Sequence, residues 1–265
     1  HPGFFVNYSA KANTNPALLS IIREEGCVVD AMSPGEIYLN LRAGFTPDKI
    51  LYVCNNVDAA ELKNAVDNRL LVSVDSLSQL ELYGRVNPGG KVMIRFNPGI
   101  GVGHSAKVVT GGKDTKFGVD PGLLDDALAI AARHNLRLIG LNQHIGSLFM
   151  EGASYVAAMD VLLGLAARLM EKGVTPELID FGGGFGIPYH KYEGEKRLAL
   201  AEFGTLLHRR ISEWSAKFRY KGRFYIEPGR YIVAECGLVL GRVNAVKNNG
   251  NAVYAGTDIG FNVLA

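Results

Sequence analysis

Cysteine is scarce: the 265-residue chain has three, Cys27, Cys54 and Cys236. An odd number at wide spacing fits neither a disulfide framework nor a zinc cluster. No metal site is therefore expected, and the reducing cytoplasm is the default compartment. Charge of either sign is nearly cancelled, with 28 Lys and Arg against 26 Asp and Glu for a formal net charge of +2. Without a long basic run, nucleic acid and anionic membrane surfaces are not expected as partners. No apolar run of transmembrane length and no signal-peptide pattern are read from the chain. Low-complexity linkers and internal repeats are also missing, and the Gly182–Gly186 run matches neither the dinucleotide fingerprint nor the P-loop.

What is present is ordinary globular composition, 48% hydrophobic and 20% charged, arranged as short β-branched runs alternating with amphipathic windows. Strands are expected at 4–9, 27–30, 49–53, 71–74, 92–96, 138–142, 178–181 and 223–226. Helices are expected at 16–25, 34–42, 59–68, 77–86, 123–134, 155–171 and 198–217. Asn15-Pro16, Ser33-Pro34, Asp58 and Asp120-Pro121 are helix-start signals, and Gly26, Gly44 and Gly173 sit where a left-handed residue ends a helix. Eight parallel strands with helical crossovers predict an α/β fold, a (β/α)8 TIM-like barrel over residues 1–230, with an open doubly wound sheet as the alternative. Residues 231–246 and 251–258 read as strands around a Lys247-Asn248-Asn249-Gly250 turn. They are expected to be the first strands of a β-domain (231–265) whose remainder is absent, so the chain reads as a piece of a longer protein.

In such a barrel, chemistry gathers at the C-terminal ends of the strands. Here those ends lead to Lys11, to Asp30 and Ser33, to Asn55-Asn56, to Asp75, and to Arg95 and Asn97. The last three lead to His144 with Ser147, to Gly182-Gly183-Gly184, and to Glu227-Pro228-Gly229-Arg230. Each has a plainer reading: Lys11 as a surface lysine, Asp30 and Asp75 as helix caps, His144 as a core histidine, the glycines as a packing turn. Together their chemistry is complementary. A lysine partly desolvated beyond an apolar run is free to attack an aldehyde. Bare N–H groups of a glycine turn, with Ser147 and a second Gly-Arg turn, suit a phosphate monoester. An imidazole lies flat against an aromatic ring, and a carboxylate holds a ring nitrogen protonated. Aldehyde, phosphate, flat ring and basic nitrogen describe pyridoxal 5′-phosphate.

The motifs Tyr8-Ser9-Ala10-Lys11-Ala12-Asn13, Asp30-Ala31-Met32-Ser33-Pro34-Gly35-Glu36, His144-Ile145-Gly146-Ser147, the glycine run, Glu227-Pro228-Gly229-Arg230 and Asp258-Ile259-Gly260-Phe261-Asn262 resemble, in order, the barrel-type pyridoxal-phosphate decarboxylases. Asn97-Pro98-Gly99, Thr110-Gly111-Gly112 and Lys116-Phe117-Gly118, with the segment from Gly101 to His104, are most similar to the diaminopimelate decarboxylases among them. The resemblance implies that Lys11 carries the imine link to the cofactor and His144 stacks on its face. Ser147, Gly183, Gly184, Gly229 and Arg230 surround the phosphate, with Pro228 in the same turn. Glu227 pairs with the pyridine nitrogen, Asp30 and Arg95 support the site near Lys11, and Arg230 also reaches a substrate carboxylate.

A carboxylate beside the ring nitrogen raises that nitrogen's pKa and deepens the electron sink, which favours loss of carbon dioxide over racemisation. The implied reaction is meso-2,6-diaminopimelate to L-lysine and CO2, in a cytoplasmic homodimer whose active sites are shared across the interface. The family's proton-donating cysteine lies in a second domain, so none of the three cysteines here is assigned and the 265-residue piece is expected to be inactive alone. Rival readings are a related ornithine, lysine or arginine decarboxylase, a sugar-phosphate barrel enzyme, and a non-catalytic homologue acting as a binding protein. The stretch 101–118 is either a lid over the site or a surface loop.

Overall fold

The computed structural model describes residues 1–103, 111–112 and 115–263. His104, Thr110 and half of the stretch considered as a lid (104–110 and 113–114) lie outside the described residues. The chain divides into two compact units, His1–Ile232 and Val233–Ala265.

In the first unit eight parallel strands close a barrel in the order β1-β10-β9-β7-β5-β4-β3-β2. They are β1 (Phe4–Tyr8), β2 (Val28–Ala31), β3 (Ile50–Val53), β4 (Leu71–Val74), β5 (Lys91–Arg95), β7 (Arg137–Asn142), β9 (Leu178–Asp180) and β10 (Arg223–Ile226). Helices α1 (Pro16–Glu24), α2 (Pro34–Arg42), α3 (Ala59–Asp67), α4 (Leu77–Val86), α5 (Leu124–Arg133), α6 (Ala153–Glu171) and α7 (Leu200–Phe218) form the crossovers. Closure settles the choice against an open sheet: Phe4, Phe5 and Val6 of β1 pair with Phe224, Tyr225 and Ile226 of β10.

The start signals work as the sequence predicts. Side chains of Asn15, Ser33 and Asp58 accept hydrogen bonds from the N–H groups of Ala17, Glu36 and Glu61, and Asp120 accepts from Gly122 at the 3-10 turn, Pro121–Leu123, that leads into α5. Each satisfies a first-turn donor that the helix leaves free. Gly26 and Gly173, at φ +82°, end α1 and α6 in the left-handed region that an L-residue avoids.

Three expectations need correction. Residues 231–242 are not a strand: Arg230–Val233 forms one helical turn, α8, and strand β11 begins only at Val243. It pairs with β12 (Ala252–Thr257) in an antiparallel hairpin turning at Gly250 and Asn251, with Gly250 at φ +60°. That is the first turn position of a two-residue hairpin, where glycine is favoured. Helix α6 is long and apolar enough to cross a membrane by length and composition, a run the sequence reading passed over. Here it is a crossover helix that buries Tyr155, Met159, Leu162 and Leu169. Two short segments not foreseen, β6 (Val102–Gly103) and β8 (Gly146–Ser147), pair in parallel.

Side chains alternate across a strand, so every second residue points into the barrel. Val28, Leu51, Met93, Leu178 and Tyr225 form one apolar cluster with Phe5 and Leu71 packed against it. On β7 the corresponding residue is Gly140, where an added Cβ would lie 2.9 Å from Met93 Cγ and 2.7 Å from the Leu178 carbonyl oxygen. Glycine leaves room there for the methionine. Gly140→Ala in the full-length protein is therefore expected to lower unfolding free energy by about 1–3 kcal/mol through overpacking. Urea unfolding measures it, and an unchanged midpoint would show that Met93 moves aside at no cost.

Candidate active site

Two residues further along each strand, the same inner face turns polar. Above Phe5 stands Asn7, above Val28 Asp30, above Leu71 Ser73, and above Met93 Arg95. Asn142 follows Gly140, Asp180 follows Leu178, and Glu227 follows Tyr225. Every one of these polar residues is buried. Only β3 keeps an apolar residue, Val53, in this layer. Buried polar groups need partners, and several find them across the barrel. Ser73 Oγ donates to Asn142 Oδ1 at 2.6 Å, and Asn7 Nδ2 donates to Asp180 Oδ2 at 3.4 Å.

Lys11 lies in a single 3-10 turn, Ala10–Ala12, directly after β1. Asp30 holds that turn: its Oδ2 accepts from Ser9 Oγ at 2.8 Å and its Oδ1 from the Ala10 N–H at 2.9 Å. The turn is also tied to the last strand, because the Ser9 N–H donates to the Pro228 carbonyl at 3.1 Å. A Cβ at Gly229 would stand 2.9 Å from Ser9 Cβ and 3.1 Å from Ala12 Cβ. Only glycine lets the 227–230 segment lie against the lysine turn. Lys11 itself is exposed, so the expected partial desolvation of its ammonium is not met in the chain alone.

His144 and the glycine run meet the Glu227 end of the same mouth. His144 Nδ1 accepts the Gly183 N–H at 3.2 Å, which places the ring proton on Nε2. Close backbone approach explains the glycines. An added Cβ at Gly183 would lie 1.9 Å from the Glu227 carbonyl oxygen, and one at Gly184 would lie 2.3 Å from that of Gly146. Gly184 also takes φ +105°. Ser147 is half-buried in β8, and Arg230 donates to the Tyr189 hydroxyl at 3.2 Å.

Charge is crowded in this layer. Asp30 is pushed up to about 7 by burial and then by Glu227, against the pull of Lys11, Ser9 and the Ala10 N–H. Glu227 is raised well above the usual carboxylate range by burial and then by Asp180, while Lys11 and Arg95 oppose the shift. Burial lowers Arg95, with Glu227 and Asp75 acting against it. His144 is held well below the ordinary histidine value by burial, then by Lys11 and Arg95. It is neutral at pH 7, and its 4.0 Å approach to Glu227 is not an ion pair.

The structure thus brings Lys11, Asp30, Arg95, His144, Gly183, Gly184, Glu227, Pro228 and Gly229 to one mouth of the barrel. Neither Asp30 nor Asp75 caps a helix; Ser33 and Ser76 do, and Asp75 instead accepts from Asn55 Nδ2. Three residues were missed. Asp180 lies beneath the glycine run, Asn142 stands between Arg95 and Asp180 in register, and Tyr155 donates to the Gly182 carbonyl at 2.8 Å. The inward parity of Asp180 and Asn142 was there to be read. Tyr155 lies on a helix, where nothing in the sequence points it at the site.

The model of the pyridoxal-dependent decarboxylases, pyridoxal binding domain, matches residues 2–234. The chain belongs to this family. Diaminopimelate decarboxylase of Methanothermobacter thermautotrophicus is 40% identical over 267 residues, covering 98% of this chain and 61% of that protein. The Escherichia coli K12 diaminopimelate decarboxylase is 34% identical over 263 residues, with the same coverage of 98% and 61%. The crystal structure of Helicobacter pylori diaminopimelate decarboxylase complexed with L-lysine superimposes with a TM-score of 0.86 at 26% identity, covering 98% of this chain and 65% of that one. The chain spans about three-fifths of the length of the curated relatives it matches.

The residues at the mouth fit a pyridoxal group. Glu227 Oε1 is buried and receives no hydrogen bond from any described N–H or hydroxyl. Four carboxyls (Asp30, Asp75, Asp180, Glu227) face two cations (Lys11, Arg95) in the same layer. A protonated ring nitrogen would supply the missing positive charge, and the exposed Lys11 amine is open to an aldehyde.

Asp30 makes the pH dependence testable. Its folded value of about 7 lies above its ordinary 3.8, so the folded chain holds the proton more tightly than the unfolded one. The stability this contributes is complete below about pH 4 and is lost as pH rises through about 7. In the cofactor-free full-length protein, the stability of wild type relative to Asp30→Asn should fall by on the order of 4 kcal/mol from pH 4 to pH 8. Urea unfolding across that range measures it; a flat difference would mean that Asp30 is ionised throughout.

Proposed function

We propose that the full-length protein is a pyridoxal-5′-phosphate-dependent amino-acid decarboxylase that converts meso-2,6-diaminopimelate to L-lysine and CO2. The observation that carries this reading is the convergence of the Lys11 turn and Glu227 on one barrel mouth, through the Ser9 to Pro228 hydrogen bond and the Gly229 approach. The substrate rests on relatives: eight curated diaminopimelate decarboxylases are 31–40% identical over at least 97% of the chain.

When bound, the cofactor supplies an electron sink for the pair left by departing CO2. The chain's own residues do the rest. Lys11 would hold the cofactor at its aldehyde carbon, and Asp30 fixes the lysine turn through Ser9 and Ala10. Neutral His144, oriented by the Gly183 N–H, would lie against the ring face without adding charge to it. Glu227 would pair with the ring nitrogen and keep it protonated, and a positive charge there would let the buried carboxyl ionise. Ser147, Gly183, Gly184, Pro228, Gly229 and Arg230 would hold the phosphate, and Arg230 would also reach a substrate carboxylate. A cytoplasmic homodimer with shared sites, and a β-domain beginning with residues 231–265, complete the reading on the strength of the resemblance.

Borohydride reduction of the full-length protein loaded with pyridoxal 5′-phosphate, followed by peptide mapping, should place the label on Lys11. Lys11→Ala should abolish the label and CO2 release. Among meso-diaminopimelate, ornithine, lysine and arginine, CO2 release should be fastest from meso-diaminopimelate. Label on another lysine would undo the site assignment, and preference for another amino acid would undo the substrate.

A further inference from the structure

We propose that Asp180 is the positioning residue for Glu227: the two carboxyls share one proton, and this contact fixes the Glu227 carboxyl beside the cofactor's ring nitrogen. The inference deepens the pyridoxal reading and rests on it.

Asp180 is completely buried at the end of β9, in register with Asn142 on one side and Tyr225 on the other. Its carboxyl is anchored by two donors, the Gly182 N–H at 2.9 Å to Oδ1 and Asn7 Nδ2 at 3.4 Å to Oδ2. The same Gly182 accepts the Glu227 N–H at its carbonyl at 2.9 Å. One glycine therefore links the backbone of Glu227 to the side chain of Asp180, and the two carboxyls are themselves in hydrogen-bonding contact. Ionised carboxylates only accept hydrogen bonds, so that contact needs a proton between them.

The surroundings leave the proton with this pair. The titratable and charged groups facing it are Lys11 after β1, Asp30 on β2, Arg95 on β5, His144 after β7, Tyr155 on α6 and Tyr225 on β10. His144 has no proton at Nδ1 to offer, since that atom accepts the Gly183 N–H. Tyr155 spends its hydroxyl proton on the Gly182 carbonyl. Burial raises both carboxyls: Asp180 to about 6, with Asp30 adding to the rise and the Glu227 hydrogen bond opposing it, and Glu227 well above the usual carboxylate range, with Asp180 adding to the rise. In the chain itself the proton rests on Glu227 and Asp180 accepts it. Opposite a protonated ring nitrogen Glu227 would ionise, the shared proton would pass to Asp180, and the flexible glutamate would stay confined to one orientation.

Two measurements on the full-length protein test this. In the cofactor-free protein at about pH 8, above the Asp30 value of about 7, infrared spectroscopy should show a carboxylic-acid carbonyl band that Asp180→Asn removes. If the band is missing from wild type or survives in the variant, no proton is shared and the proposal fails. This readout does not depend on cofactor binding, so failure of the pyridoxal reading would be seen separately, as wild type that borohydride does not label.

In the loaded protein, pyridoxal 5′-phosphate isotope-labelled at the ring nitrogen reports that atom's titration by NMR. Asp180→Asn keeps an acceptor for the Gly182 N–H and a donor for Glu227, and should titrate as wild type. Asp180→Ala should shift the midpoint by about one pH unit, a tenfold change in proton affinity, and lower kcat more than it raises KM. Asp180→Ala that is labelled at Lys11 yet titrates as wild type would reduce Asp180 to a prop for the glycine turn.

Discussion

The seam between the first and last strands is the constraint on which the rest depends. Parallel pairing of β1 with β10 closes the barrel and sets the residues after one strand against those after the other. The Ser9 to Pro228 hydrogen bond and the close approach of Gly229 to Ser9 and Ala12 continue that pairing beyond the strands. Lys11 and Glu227, remote in sequence, are thereby held within electrostatic reach of each other. An open sheet would leave them on opposite edges.

Above the seam the barrel's interior changes character within two residues, from an apolar floor to a layer of ionisable groups. Burying charge is costly unless it is paired and hydrogen-bonded. Asp30 is paired by Ser9 and the Ala10 backbone, while Asp180 is paired by Gly182 and Asn7. Glu227 is the least satisfied, with one buried oxygen receiving no N–H or hydroxyl donor among the described residues. The floor below excludes water, so the field at the mouth is set by fixed groups, a suitable environment for a charged ring.

Much of the architecture was legible. Hydrophobic periodicity placed all eight barrel strands and seven crossover helices, because both patterns are local. The four helix starts at Asn15, Ser33, Asp58 and Asp120 were readable for the same reason. Legibility failed where a side chain had two local uses. Asp30 and Asp75 each precede a helix, yet a serine nearer its start takes the cap in both cases. Residues 231–242 have β-like composition without the alternation a strand needs, and they begin as a helical turn. Asp180 is marked in the sequence only by its inward parity on β9, a weaker local pattern than the glycine run that follows it.

By itself the sequence determined which elements form, where helices begin and end, and which residue types stand at the C-terminal ends of the strands. Those are properties of neighbours along the chain: capping geometry, side-chain periodicity and the conformational freedom of glycine. Only the tertiary structure decided which of those residues meet. Barrel closure and register put Asp180 beside Glu227 and Asp30 beneath the Lys11 turn. Local pattern has no term for the distance between residues separated by most of the chain, and the burial that raises these carboxyls exists only once the barrel has closed.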